Sequence, residues 1–319
     1  MTYRQRAFAT GGTLFLALLT FTSYAGAQTL KTLYSFSAGT DGGASFSTPA
    51  IGNLGVLYGT PCGDTPGGVV FSLTPPSSPG GPWTEAVLYV FTYPNNVYYC
   101  PGADLVIDSG GVLYGTTPYG GSEQCSGEPC STVFSLTPPS TPGGAWTYTT
   151  IYSFTGGSDG AAASGPLAIG SGGVLYGTTN SGGIDCGVCG AVFSLTPPAS
   201  PGGAWTEAVI YTFRSWNDSF RTVVMGRGGV LYGTSSLGGS GTNSACQVDQ
   251  CGTIFSLSPP ASPGGAWTEA VLHNFAGPPS PSDGDNPQSS LVLGKDGVLF
   301  GTTNGGGASN AGIVFAFRP

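Results

Sequence analysis

"GGVLYGTT" 172–179 is the stretch that decides the fold, because the chain writes it five times. The same letters stand at 110–117, "GGVLYGTS" at 228–235, and looser copies are "LGVLYGTP" 54–61 and "DGVLFGTT" 296–303. Three other motifs travel with it in fixed order. An apolar triplet comes before it: "LVI" 105–107, "LAI" 167–169, "VVM" 223–225 and "LVL" 291–293, with "AI" 50–51 as a reduced copy. "VFSL" follows at 70–73, 133–136 and 192–195, then "IFSL" 254–257 and "VFAF" 314–317. The fourth motif reads "WTEAVLYVF" 83–91, "WTYTTIYSF" 146–154, "WTEAVIYTF" 205–213 and "WTEAVLHNF" 267–275. Its fifth copy, "QTLKTLYSF" 28–36, precedes all the others.

Each motif is short, rich in β-branched and aromatic residues, and bounded by Gly, Pro, Ser or Asn, which is how strands read. No segment sustains a 3.6-residue period. "TPPASPGGAW" 196–205 breaks any regular element, and "SGGV" 171–174 suits a tight turn between the first and second motifs. Four strands per repeat, and five repeats of about 58 residues each, predict an all-β chain. The expected architecture is a five-bladed β-propeller of four-stranded antiparallel blades spanning 28–319. The repeats begin on motif four and end on motif three, so the N-terminal strand 28–36 is expected to close the last blade and leave no open edge. Strict alternation puts Trp205, Glu207, Val209, Tyr211 and Phe213 on one face, where the rings would fill the wedge between blades. The glycine of each "YGT" is expected to admit a ring or backbone at close range. "VLYGTT" is thus read as a packing unit rather than a binding signature.

Composition fits a folded repeat. The 56 Gly and 26 Pro would suggest disorder without a period, and only 8% of residues are charged. Arg4 and Arg6, the apolar run "LFLALLTF" 14–21 and "AGA" 25–27 form a secretory signal peptide over residues 1–27, with cleavage expected before Gln28. The expected location is secreted, extracellular or periplasmic, with no membrane insertion after cleavage. Eight Lys and Arg face 16 Asp and Glu, a net −8, so nucleic acid is not an expected partner.

"LYGTT…GG…VFSLTPP…W…LYSF" resembles the GloVer (Gloeo/Verruco) tandem-repeat family of exported bacterial proteins, across the whole of 28–319. The resemblance implies an exported repeat protein. It brings no enzyme activity and no catalytic residues with it.

Eight cysteines follow the leader. Cys125/Cys130, Cys186/Cys189 and Cys246/Cys251 lie between motifs two and three of their repeats, and Cys62 in the matching loop is expected to pair with Cys100. An even count in an exported chain favours disulfides. Cys186-Gly-Val-Cys189 has zinc spacing, but pairs on different blades do not make one site, and no metal is expected there. The βαβ context of a redox CxxC is missing.

Catalytic candidates are sparse. His273 is the single histidine and takes the place of Tyr89, Tyr152 and Tyr211 in motif four; no G-x-S-x-G accompanies it. A propeller glycosidase needs at least two inner acids. Asp104 alone stands at the start of motif one, Asp108 lies at its far end, and Glu85, Glu207 and Glu269 fall on the outer strand. Asp41, Asp159 and Asp283, each followed by Gly, recur between motifs four and one. They read as turn formers, or as one ligand position per blade; calcium is the cofactor that second reading admits, with "SDGDN" 282–286 the densest acidic loop. "GTTNGGG" 301–307 lacks the lysine and helix of a phosphate loop.

The sequence therefore leads to a non-catalytic propeller that binds an extracellular ligand through its loop-bearing face. Carbohydrate is the favoured class, with Tyr98, Tyr119 and Trp216 as stacking rings. The competing readings are a cell-surface scaffold for protein partners and a polysaccharide hydrolase or lyase.

Overall fold

The computed structural model describes residues 30–319 except 38–42, 46, 63–67, 93–100, 102, 119, 121–123, 126–127, 164, 183–189, 201, 214–219, 240–250, 263, 279 and 281. The signal-peptide reading of 1–27 lies outside the described residues. The chain divides into Met1–Leu33, of which residues 30–33 are described as coil, and Tyr34–Pro319, which holds the propeller.

Among the described residues the motifs become four strands in each of blades 1 to 4 and three in blade 5. Blade 1 comprises β1 (Ala50–Ile51), β2 (Leu57–Gly59), β3 (Val69–Thr74) and β4 (Thr84–Val90). Blade 2 comprises β5 (Val106–Ile107), β6 (Leu113–Thr117), β7 (Thr132–Thr137) and β8 (Thr147–Ser153). Blade 3 comprises β9 (Ala168–Ile169), β10 (Leu175–Thr179), β11 (Ala191–Thr196) and β12 (Thr206–Thr212). Blade 4 comprises β13 (Phe220–Met225), β14 (Leu231–Ser235), β15 (Thr253–Ser258) and β16 (Thr268–Asn274). Blade 5 comprises β17 (Val292–Leu293), β18 (Leu299–Thr302) and β19 (Val314–Phe317). Within each sheet the strands are antiparallel neighbours in sequence order, and together they form a five-bladed β-propeller.

The turn after the first motif is what Gly-Gly chemistry requires. Ser171–Gly173 form a single 3-10 turn in which Gly172 and Gly173 have φ of +69° and +77°, and the Gly170 amide donates to the Val174 carbonyl at 2.8 Å. Glycine pays no Cβ penalty there.

The repeated "YGT" glycine has a different reason. Gly59, Gly115, Gly177, Gly233 and Gly301 each pair across the sheet with the phenylalanine of the third motif. That ring lies over its partner, so a Cβ built on Gly177 would stand 2.5 Å from Phe193. Held flat, each ring then meets the last phenylalanine of the preceding blade edge-on: Phe91 on Phe134 at 5.4 Å, Phe154 on Phe193 at 5.0 Å, Phe213 on Phe255 at 6.0 Å and Phe275 on Phe315 at 5.4 Å. These rings anchor four hydrophobic clusters, one at each junction from blade 1–2 to blade 4–5. Phe134, Phe154 and Phe193 are fully buried, each contributing roughly 1.5–3 kcal/mol over exposure.

The outer strand corrects the alternation read from the sequence. A β-bulge recurs in β4, β8, β12 and β16, between the residues opposite Val70/Phe71, Val133/Phe134, Val192/Phe193 and Ile254/Phe255. One extra residue reverses which face the rest of the strand presents. Trp205 accordingly packs toward blade 2, 6.1 Å from Tyr114, while Tyr211 and Phe213 pack toward blade 4. Trp205 and Phe213 do not share a face; the bulge lets one strand serve two junctions.

Blade 5 has three strands among the described residues, and residues 30–37 form no ladder. Tyr34 and Phe36 nonetheless show the geometry of their motif. Their rings meet at 5.2 Å, as Tyr152 meets Phe154 at 5.0 Å, and Phe36 stands edge-on to Phe71 at 5.1 Å. The ring contact expected of a fifth outer strand is made without its ladder. Among the described residues no strand pairs with the outer edge of β19, and Val314 is 81% exposed, whereas Val70, Val133 and Val192 are 0%. β19 is also four residues long against six in β7, and Pro319, two residues past its end, has no amide to extend a ladder.

Candidate functional site

A cleft of about 730 Å³ lies on the flank of the propeller between blades 2 and 3. Strand β8 supplies one wall with Thr149, Thr150, Ile151, Tyr152 and Ser153, and Ser135 of β7 lies behind it. The other wall is Pro198, Gly202, Gly203, Ala204 and Trp205. The Gly203 amide donates to the Ser200 carbonyl at 3.1 Å, and a Cβ on Gly203 would press on Pro198 at 2.8 Å. Trp205 is half-buried, fixed at one edge by Tyr114 and open to the cleft.

The hydroxyl lining is particular to this junction. Thr149 and Thr150 stand where the other outer strands carry Ala86-Val87, Ala208-Val209 and Ala270-Val271. Tyr148 likewise replaces Glu85, Glu207 and Glu269, and stacks on Tyr89 at 4.4 Å. Sequence reading treated "WTYTTIYSF" as one more copy, yet its departure from "WTEAV" was the available signal.

A carboxylate cluster adjoins the cleft. Asp159 is buried and accepts the Tyr152 hydroxyl at 3.0 Å, the Thr155 amide at 2.8 Å and the Thr155 hydroxyl at 2.6 Å. Glu207, on the same strand face as Trp205, has Oε1 buried without a hydrogen-bond partner among the described residues. Burial, then the charge of Asp159, pushes its carboxyl from 4.5 to about 7. The Tyr152 hydroxyl is pushed up by burial and by Asp159. At the next junction Tyr211 donates directly to Glu269 at 2.9 Å.

Of the residues singled out from sequence, Asp159 and Asp283 occupy equivalent places. Asp283 accepts the Ala276 and Gly284 amides at 2.9 and 2.8 Å and lies 3.2 Å from His273 Nε2. Both tie the outer strand to the connection that follows it, and His273 does the work of Tyr152. Asp41, Tyr98, Tyr119 and Trp216 lie outside the described residues. So do Cys100, Cys186, Cys189 and Cys246, while Cys62 and Cys125 are described in backbone only. Cys130 and Cys251 are buried and disulfide-bonded. The Cys251 carbonyl accepts the Asn286 amide at 2.9 Å, so the cysteine loop and the Asp283 connection meet on one face.

The inner strands are largely aliphatic, with Arg221 and Thr222 of β13 the polar exceptions. A cavity of about 420 Å³ is lined by Ala50, Val106, Ala168 and Val224 among other aliphatic residues. Asp104, the inner acid noted in the sequence, accepts the Thr48 amide at 2.6 Å and links blades 1 and 2. Among the described residues there is no group of three or more His, Cys, Asp or Glu placed to hold a metal ion. No helix among them is long and apolar enough to cross a membrane.

Five sheets built from one four-motif unit define a tandem-repeat β-propeller. The chain belongs to the Gloeobacter/Verrucomicrobia repeat family, whose pattern matches residues 131–319. No curated protein matches it. Solved structures similar to it include a protein of unknown function from Dyadobacter fermentans, at 13% identity and a TM-score of 0.48, covering 86% of this chain and 83% of that one. A gluconolactonase from Xanthomonas campestris has 13% identity and a TM-score of 0.44, with 85% and 71% covered. An ulvan lyase has 12% identity and a TM-score of 0.47; 79% of this chain is covered but 62% of the lyase, less than two thirds of its length. Likeness at this level carries no argument about activity.

Proposed function

We propose that the protein is exported and acts as a non-catalytic β-propeller that binds extracellular carbohydrate in the cleft between blades 2 and 3. The observation that carries this reading is Trp205, half-buried in one wall of the cleft and faced by Thr149, Thr150 and Ser153. A pyranose ring has an apolar face that stacks on an indole and an equatorial belt of hydroxyls that pairs with threonine and serine. A concave site with one aromatic wall and a few placed polar groups is how proteins hold such ligands. Tyr98, Tyr119 and Trp216 are candidates for further ring contacts on the loop-bearing face. Export rests on Arg4, Arg6 and the run 14–21, and on the disulfide state of Cys130 and Cys251. The pairs proposed are 62/100, 125/130, 186/189 and 246/251.

The test is a glycan and polysaccharide panel on the purified protein, with Trp205→Ala and the double variant Thr149→Ala/Thr150→Val beside it. The double variant restores the Ala-Val of the other blades, so it leaves the fold intact. Selective binding that falls tenfold or more in both variants is expected. A blank panel would defeat the reading and leave the scaffold alternative. A hydrolase reading has one observation in its favour, the raised Glu207 carboxyl beside the cleft. Polysaccharide cleavage that disappears in Glu207→Gln would establish it.

A further inference from the structure

Three of the chain's eight basic residues converge on one cavity. It measures about 350 Å³ at the junction of blades 4 and 5, and Arg227, Lys295 and Arg318 line it with one acidic side chain, Asp296, and with Pro319, the last residue of the sequence. In a chain of 16 acidic residues and pI about 4.3, such a concentration of positive charge is local and against the overall field.

The repeat brings these groups together. Arg227 opens the turn between β13 and β14, and Lys295 holds the same place in the turn between β17 and β18. The equivalent residues in blades 1 to 3 are uncharged: Asn53, Ser109 and Ser171. Only the two adjacent blades carry a cation here, and their turns meet, with Arg227 Nη2 donating to the Lys295 carbonyl at 3.4 Å. Arg318 donates to the Asp296 carboxylate and carbonyl at 3.2 and 3.4 Å, which holds it beside the cavity while satisfying the one acidic side chain there. The Lys295 ammonium has no hydrogen bond or ion pair among the described residues, and Arg227 has no carboxylate partner there. Tyr232 adds a ring to the lining, seated against Gly226, where a Cβ would come within 2.4 Å of it.

We infer that this cavity binds the carboxylate or sulfate of an acidic polysaccharide, with the sugar ring against Tyr232 and the anion between Arg227 and Lys295. An isolated inorganic anion would fill little of the space, whereas a hexuronate or sulfated pyranose suits its volume and its mix of ring and charge. The inference rests on the carbohydrate reading above and gives it a substrate class.

The experiment measures binding of the purified protein to two matched pairs: polygalacturonate with its methyl ester, and dextran sulfate with dextran. At least tenfold tighter binding to the charged member of one pair is expected. Lys295→Glu should remove that preference without moving the unfolding midpoint, because its ammonium supports no contact. Arg227→Gln should weaken it several-fold. Equal binding within both pairs, or a preference that survives Lys295→Glu, would overturn the cationic site. Trp205-dependent binding of the neutral polymers in the same series would then keep the broader carbohydrate reading, and binding to none of the four would remove both.

Discussion

Gly177→Ala tests the packing logic of the repeat. Gly177 is not in the left-handed region, so alanine is allowed by its backbone. Restricting the unfolded chain would on its own stabilise the protein by roughly 0.4–1 kcal/mol. The ring decides otherwise. The new Cβ would lie 2.5 Å from Phe193 Cζ, 2.9 Å from its Cε1 and 2.8 Å from Leu167 Cδ2. Favourable carbon contacts begin near roughly 3.5 Å, so the ring must retreat by about 1 Å. Phe193 is fully buried and Phe154 stands 5.0 Å away, so nothing nearby yields freely. Overpacking of this kind costs roughly 1–3 kcal/mol, more than the entropic gain. Chemical unfolding should show a net loss of about 1–2 kcal/mol, and Phe193→Leu in the same chain should recover part of it. Gly172→Ala is the contrast. Its φ is +69° with nothing within 4 Å of a Cβ, so it should lose stability that Phe193→Leu does not restore. A Gly177→Ala protein as stable as the parent, or a loss indifferent to Phe193→Leu, would refute the reasoning.

Other consequences follow from single side chains. Glu207 keeps its proton in the folded chain up to about pH 7 but releases it near 4.5 when unfolded. Stability should therefore fall as pH rises through that window, and Glu207→Gln should match the parent at about pH 4 and exceed it at about pH 8 in chemical unfolding. Asp159→Ala strands the Tyr152 hydroxyl and the Thr155 amide and hydroxyl. It should cost roughly 1–3 kcal/mol equally with calcium and with chelator; calcium stabilisation lost in the variant would instead make Asp159 a metal ligand. Peptide mapping of unreduced protein should recover the pairs 62/100, 125/130, 186/189 and 246/251, and any pair joining two of the short loops would contradict the blade assignment of the cysteines.

The architecture was legible because each motif carries its own physical reason. The five copies of "VLYGTT" required a glycine under a ring, and the ring is the third motif's phenylalanine directly across the sheet. The double role of the outer strand was not legible. The bulge residues Leu88, Ile151, Ile210 and Leu272 look like any other apolar position, and only the ladder shows where alternation reverses. The cleft was half visible: Thr149 and Thr150 break the Ala-Val pattern, but their meeting with Trp205, more than fifty residues away, depends on blade order. The cationic cavity is the same kind of case, since Arg227 and Lys295 are neighbours only because two equivalent turns sit side by side.

The most direct measurement is a crystal structure of the protein with the tightest uncharged glycan from the panel. The account predicts a pyranose ring stacked on Trp205 with its hydroxyls at Thr149 and Thr150. A sugar bound in the apolar cavity of the inner strands, or held only by the cysteine-bearing loops with Trp205 uncovered, would contradict it.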